Sequence, residues 1–245
     1  MAVLRRLVAL PFAALTALTV GSPLNAAEFE GWTETSDWYI SVGAAPMPEV
    51  EEKTSGNNGG STYEWESLDG DFAPRLALGY LACAGDARGG WTLGLEAVFT
   101  TCDVTPSKYK VGGLTFSNTS NRTLRYHTAG MTVSGGYQFG INANADSISP
   151  FLIIAPFVGA GAAFADSEVR DQNGAYENDS GIGWYAEGGL RSGLMFTERR
   201  WVGGVLIDLT YGSGEVDLDF NDGSSSTLVH ERMGITASLM VGYRL

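Results

Sequence analysis

The sequence predicts an all-β chain: an eight-stranded antiparallel up-and-down β-barrel that crosses a membrane. Three observations predict it. Apolar side chains recur at every second position in eight separate stretches, which is the period of a strand with two unlike faces. The stretches are joined alternately by short and long connections, and the chain opens with an export leader.

The leader comes first. "MAVLRRLVALPFAALTALTVGSPLNAAEFEG" has a basic head at Arg5 and Arg6, an apolar run from Leu7 to about Val20, and small residues up to a cut after Ala26. This is the pattern of a secretory signal peptide, too short to be a comfortable membrane span. The expected organisation is a signal peptide over 1–26 and one barrel domain over 27–245, since all-β folds of this size are commonly undivided. Cleavage leaves 13 of the 15 basic residues against all 28 acids, a net charge of −15. Nucleic acid is therefore excluded as a partner, because phosphate binding needs clustered Lys and Arg.

The strands follow in order. "DWYISVGAA" sets Trp38, Ile40 and Val42 on one face, and "FAPRLALGYLA" sets Phe72, Leu76, Leu78 and Tyr80 opposite Arg75, Ala77 and Gly79. "WTLGLEAVF" opposes Trp91, Leu93, Leu95, Ala97 and Phe99 to Thr92, Gly94 and Glu96. "YHTAGMTVSGGYQF" opposes Met131, Val133, Tyr137 and Phe139 to Thr132, Ser134 and Gln138. "SPFLIIAPFVGAGAAFA" is continuously apolar, but its prolines, glycines and length argue against a membrane helix. It reads as a strand with Leu152, Ile154, Val158, Ala160 and Phe164 on one face and a ladder defect, a bulge, at Pro156. The sixth stretch places Ile182, Trp184, Ala186, Leu190 and Leu194 against Glu187 and Arg191; the seventh places Trp201, Val205, Ile207, Leu209 and Tyr211 against Asp208 and Thr210. The eighth, "RMGITASLMVGYRL", alternates from Met233 to Leu245.

Connections decide the architecture. "AGDARGG", "INANADSI" and "TERR" are short, whereas those from Pro46 to Gly70, Asp103 to Thr123, Ala165 to Ser180 and Ser213 to Leu228 are long. Because antiparallel strands reverse direction, short turns gather at one end and long loops at the other, as in outer-membrane barrels. A soluble barrel would show the same alternation with its apolar face inward. Three details place lipid outside. The opposite face is mostly Gly, Ala, Ser and Thr with scattered charges; aromatic residues gather toward strand ends, as membrane interfaces favour; and a final strand that pairs with the first leaves no edge unsatisfied in lipid.

The leader, the eight strands and the closing "LMVGYRL" resemble the small outer-membrane β-barrel family of the OmpA and OmpX type, over essentially the whole mature chain. The resemblance implies residence in a bacterial outer membrane among lipid and lipopolysaccharide. It also implies a last strand read by the barrel-assembly machinery, with Leu239, Val241, Tyr243 and Leu245 as the signal. Leu245 stands where that family ends in Phe, a departure from the pattern.

Candidate sites are few. The inward-phase charges are Arg75, Glu96, Glu187, Arg191, Asp208, Arg232 and Arg244, and buried charges require partners, so cross-strand ion pairs sealing the interior are expected. A gated solute path through the same residues is the alternative. The two histidines, His127 and His230, are each expected at the outer rim of a strand; neither is followed by Ser at the second position, as lipid A deacylases of similar size would require. No nucleophile elbow is present, since "GLRSGL" falls on a strand. Cys83 and Cys102 close successive antiparallel strands on the order of 30 Å apart, beyond the reach of a disulfide, so two free thiols are expected. Loop one (Glu49, Glu51, Glu52, Glu64, Glu66, Asp69, Asp71), loop three and loop four (Glu215, Asp217, Asp219, Asp222) are acidic. Their charge reads as a solvated, repelling surface, with loose divalent-cation binding as the second option. Loop two carries Lys108, Lys110, Arg122 and Arg125, which suit anionic lipopolysaccharide headgroups. The expected protein is a monomer with no catalytic residues, cofactor or metal, whose loops have a structural or surface-interaction role toward an extracellular ligand. A narrow passive channel and a lipid-modifying enzyme follow as the other readings.

Overall fold

The computed structural model describes residues 33–55, 61–68, 72–86, 89–104, 106–111, 113–117, 123–141, 149–170, 176–219 and 225–245. The signal peptide lies outside these residues. Twelve strands are present among them: β1 (Thr33–Pro46), β2 (Glu49–Ser55), β3 (Ser61–Leu68), β4 (Phe72–Asp86), β5 (Gly89–Val104), β6 (Pro106–Val111), β7 (Leu114–Ser117), β8 (Thr123–Gly140), β9 (Ser149–Arg170), β10 (Tyr176–Glu198), β11 (Trp201–Asp219) and β12 (Ser225–Arg244). Eight of them, in the order β1, β4, β5, β8, β9, β10, β11, β12, form a ring that the β1–β12 pairing closes, and every pairing is antiparallel. The predicted eight-stranded up-and-down barrel is therefore the observed one.

The alternation runs in the predicted phase. Trp38, Leu78, Leu93, Met131, Ile182, Ile207 and Leu239 all face outward and are exposed, while Arg75, Glu96, Thr132, Glu187, Asp208 and Thr236 face inward and are buried. Along β11 the outward row runs from Trp201 through Val205, Ile207 and Leu209 to Tyr211, then turns polar at Glu215 and Asp217. Ten steps of about 3.3 Å, tilted by about 40°, give a belt on the order of 25 Å tall, the height of the lipid-facing band of such barrels. An exposed apolar surface of this extent marks a membrane contact. At the turn end it is rimmed by aromatic pairs: Trp38 and Tyr80 lie 5.1 Å apart, Trp91 and Tyr137 5.5 Å, and Trp201 and Tyr243 5.6 Å between ring centroids.

Three features differ from expectation. First, the long connections are largely strand. β9 and β10 extend 22 and 23 residues, so the wall rises well above the belt; polar alternation in "SEVR" and "YENDS" carries no apolar period, yet the backbones continue to pair. β2, β3, β6 and β7, predicted as loops, extend the sheet sideways from β12. Second, Pro156 makes no bulge. The β8–β9 register is the same on both sides of Gly135–Gly136, where the ladder is simply interrupted opposite Ala155–Pro156. Pro156 has no N–H to donate there. Third, the real register slip lies elsewhere. Ala44 pairs with Ala237 but Glu49 pairs with Glu231, so β12 carries one more residue than the facing chain between these points. Pro46, Met47 and Pro48 occupy the slip, and across it the inward phase changes from odd positions on β1 to even ones on β2.

Candidate functional site

The barrel interior is layered. At the turn end Leu81, Cys83, Phe151, Ile153, Met195, Val202, Leu206 and Met240 pack into one apolar cluster. At the loop end Val50, Val104, Leu124, Tyr126, Val216, Leu218 and Leu228 form another. Inward residues were expected to be mainly small or polar; instead each end is filled by large apolar side chains, and the polar groups concentrate between them.

The middle layer is an ion network. Arg191, on β10, donates from Nε and Nη2 to the two carboxylate oxygens of Asp208 on the paired strand at 2.8 and 2.9 Å, and from Nη2 to Glu96 Oε2 across the lumen at 2.8 Å. Register puts Arg191 directly opposite Asp208, so the fork meets the carboxylate without distortion. Tyr39 donates its hydroxyl to Glu96 Oε1 at 2.8 Å. It can lie flat across the lumen because Gly79 faces it: a Cβ there would stand 2.6 Å from Tyr39 Cε2. Arg75 Nη2 stands 3.5 Å from Glu187 and 3.9 Å from Glu96, and Thr132 Oγ1 donates to Glu187 at 3.3 Å. All of these groups are buried. Such an array, spanning six strands, ties the facing walls of the barrel to one another.

Of the seven charges named from the sequence, five are joined here: Arg75, Glu96, Glu187, Arg191 and Asp208. Arg244 is separate. It sits at the turn end, where Nε and Nη2 donate to the carboxylate of fully buried Asp37 at 2.8 and 3.0 Å. Arg232 is buried in the loop-end half and makes no ion pair among the described residues. Asp37 and Tyr39 were not singled out from the sequence, although both share the inward phase opposite Trp38 and Ile40.

The histidines correct a second expectation. His127 lies half-buried on the outward face, bonded to Thr101 Oγ1 at 2.7 Å and stacked on Phe99. His230 is not at an outer rim. It is buried inside the barrel above the belt, 2.7 Å from the Tyr126 hydroxyl, with Gly214 leaving room for its ring. Burial, with Arg232 nearby, pushes its pKa down from 6.5 to about 3, so it is a neutral structural ring. Cys83 and Cys102 are both free and buried, one in each apolar cluster.

Outside the belt the acids gather on the extended sheet. Glu215, Asp217, Glu231 and Glu49 are exposed, and Glu231 lies directly opposite Glu49. Like charges in that position repel. The lysines of loop two are placed against acids: Lys110 is in register with Glu64 and Lys108 with Glu66. Arg125 stands 3.5 Å from Glu168 and 3.8 Å from Asp103. Asp69, Asp71, Asp222 and Arg122 lie outside the described residues. Leu239, Val241, Tyr243 and Leu245 all face outward at the turn end of β12.

No family model matches the chain, and no curated protein does. Solved structures do. The outer membrane protein OprG from Pseudomonas aeruginosa is 11% identical with a TM-score of 0.41, over 86% of this chain and 95% of that one. Ail, the attachment invasion locus protein of Yersinia pestis, in complex with a heparin analogue, is 14% identical with a TM-score of 0.29, over 86% and 99%. Neisserial surface protein A is 14% identical with a TM-score of 0.29, over 85% and 96%. These matches fall among small outer-membrane barrels, the kind the sequence resembles; the closed ring of eight strands itself carries the fold.

Proposed function

We propose that this chain is an integral protein of a bacterial outer membrane, a sealed barrel whose work is done by the acidic sheet it holds outside the cell. The observation that supports this reading most is the combination of an outward belt of membrane height with an interior closed by salt bridges between two apolar clusters. A barrel so filled is an anchor. Beyond it lies the sheet formed by β2, β3, β6 and β7 with the upper parts of β9 to β12. Its exposed Glu49, Glu215, Asp217 and Glu231 suit a partner that brings positive charge, and they keep the barrels apart from one another.

In this reading the turns face the periplasm, lipid and lipopolysaccharide surround the belt, and the barrel-assembly machinery reads the outward row ending at Tyr243 and Leu245. Lys108 and Lys110 stand in register with Glu66 and Glu64, so contact with lipopolysaccharide rests on the belt rim more than on a basic patch. The role is non-enzymatic in this reading, because Arg75, Glu96, Glu187, Arg191 and Asp208 are joined in one ion network and the histidines are held by Thr101 and Tyr126.

Two measurements test it together. Membrane fractionation with gel electrophoresis should give a compact, faster-running unheated form in the outer-membrane fraction, and the purified monomer in a planar bilayer should give no discrete openings. Large ion-selective openings would replace the anchor with the channel; altered lipid A acylation in cells carrying the protein would revive the enzyme.

A further inference from the structure

The hairpin between β10 and β11 closes in two residues. Glu198 pairs with Trp201, so Arg199 and Arg200 alone make the turn. Arg199 has φ 55° and is the one non-glycine residue with positive φ among the described residues. Left-handed backbone in a tight hairpin is where glycine, asparagine or aspartate sits with least strain, so an arginine is held there against its local preference. An outlier of this kind points to a use for the side chain. Neighbouring acids do not supply that use. Arg75, Arg125, Arg191 and Arg244 each face a carboxylate, whereas Arg199 and Arg200 are exposed and make no ion pair among the described residues, with exposed Glu198 beside them.

Arg200 is held in place. Its backbone carbonyl accepts from the Arg244 N–H at 2.7 Å, and its Nη1 donates to the Tyr243 hydroxyl at 3.1 Å. Tyr243 faces outward, so the guanidinium lies on the lipid side of the wall at the turn end. Register sets Trp201, Tyr243, Trp38 and Tyr80 side by side on β11, β12, β1 and β4, a row of aromatic rings at one level. Such a row marks the headgroup depth of a bilayer, where arginine stems lie along apolar surface and their charged heads reach the phosphates. A guanidinium is always charged and takes phosphate through a fork of parallel N–H groups. Two positive charges without acid partners favour a lipid whose headgroup brings no cation of its own. We infer that the Arg199–Arg200 turn holds the phosphodiester of one anionic phospholipid of the periplasmic leaflet, with its acyl chains along Trp38, Ile40, Leu239 and Val241. The inference rests on the reading of the turns as periplasmic. A lipid so held fixes the depth of the barrel at the end opposite the acidic sheet.

The test uses the full mature chain folded in detergent, with phosphatidylglycerol and phosphatidylcholine of identical acyl chains as probes and native mass spectrometry as the readout. Each basic residue near an anionic lipid strengthens association about fivefold, so the parent should retain one phosphatidylglycerol in preference to phosphatidylcholine by about twenty-five-fold. Arg199→Gly relieves the turn, and Arg200→Gln keeps a donor for Tyr243, so both changes keep the fold. Together they should erase the preference while the urea midpoint of the compact gel form does not fall. Arg125→Gln, at the opposite rim, should leave the preference intact. Equal retention of the two lipids by the parent, a preference that survives in the double variant, or one that Arg125→Gln lowers as far would overturn the inference. Residence in the outer membrane is read separately by fractionation and bilayer recording, so that reading can stand when this assay fails.

Discussion

Replacing Arg191 by Met is the sharpest probe of the sealed interior. The change keeps much of the side chain's volume and removes three charge-assisted hydrogen bonds, two to Asp208 and one to Glu96. Each such bond contributes about 1.5–3 kcal/mol, but they share one guanidinium and do not add. What decides the outcome is that two buried carboxylates lose their main partner: breaking a buried pair by removing one side costs about 3–5 kcal/mol. With a urea slope of about 2 kcal/mol per molar, the midpoint should fall by about 2 M, read by the loss of the fast-running gel form across a urea series. A companion variant combining Arg191→Met with Glu96→Gln and Asp208→Asn leaves no orphaned charge and should recover more than half of the loss. A midpoint for Arg191→Met within about 0.3 M of the parent would refute the claim that the network holds the walls together, and so would a triple variant no better than the single one.

Three further outcomes are expected. Gly79→Val places side-chain atoms where the Tyr39 ring lies, forcing that ring off Glu96, and overpacking of this kind costs about 1–3 kcal/mol, measurable in the same urea assay. His230 is neutral in the folded chain, with its pKa pushed down to about 3; its contribution is complete above the unfolded value near 6.5 and is lost as pH falls below it, by about 2–3 kcal/mol at pH 4.5. His230→Gln should flatten that part of the stability profile between pH 6.5 and 4.5, and an unchanged profile would contradict the buried neutral ring. Cys83 and Cys102 should both resist a maleimide in the folded chain and both react after heating in denaturant.

The ring itself was legible because its strands expose one apolar row to lipid and one mixed row inward, so the period of two survives intact from Trp38 to Tyr243. The network was partly legible for the same reason: Glu96, Glu187, Arg191 and Asp208 stand out against their apolar neighbours. Asp37 and Tyr39 follow the same phase, but Asp37 follows the polar run Thr33 to Ser36 and Tyr39 is an aromatic between Trp38 and Ile40, so neither stands out from its neighbours. Above the belt the outward row turns polar, having no lipid to meet, while Val216 and Leu218 keep the inward row apolar, so on β11 the alternation reverses its phase; the upper parts of β9 and β10 lose it while keeping their backbone ladder. Leu81, Met195, Leu206 and Met240 break the rule differently. They occupy the inward phase yet are large and apolar, packing together at the turn end beside the Asp37–Arg244 pair. His230 shares that phase two residues before Arg232, but a lone histidine on a polar stretch carries no sequence signal of burial.

The claim under all of this is that the greasy rows look outward, and a single spin label tests it. Because Cys83 and Cys102 are buried, a cysteine placed at Ile207, halfway up the belt on β11, can be labelled selectively in the folded protein and reconstituted into lipid vesicles. Strong collisional relaxation by oxygen with almost none by a water-soluble nickel chelate is the predicted result. The reverse, a label reached by the chelate and shielded from oxygen, would mean that this face is wet and the barrel is inside out.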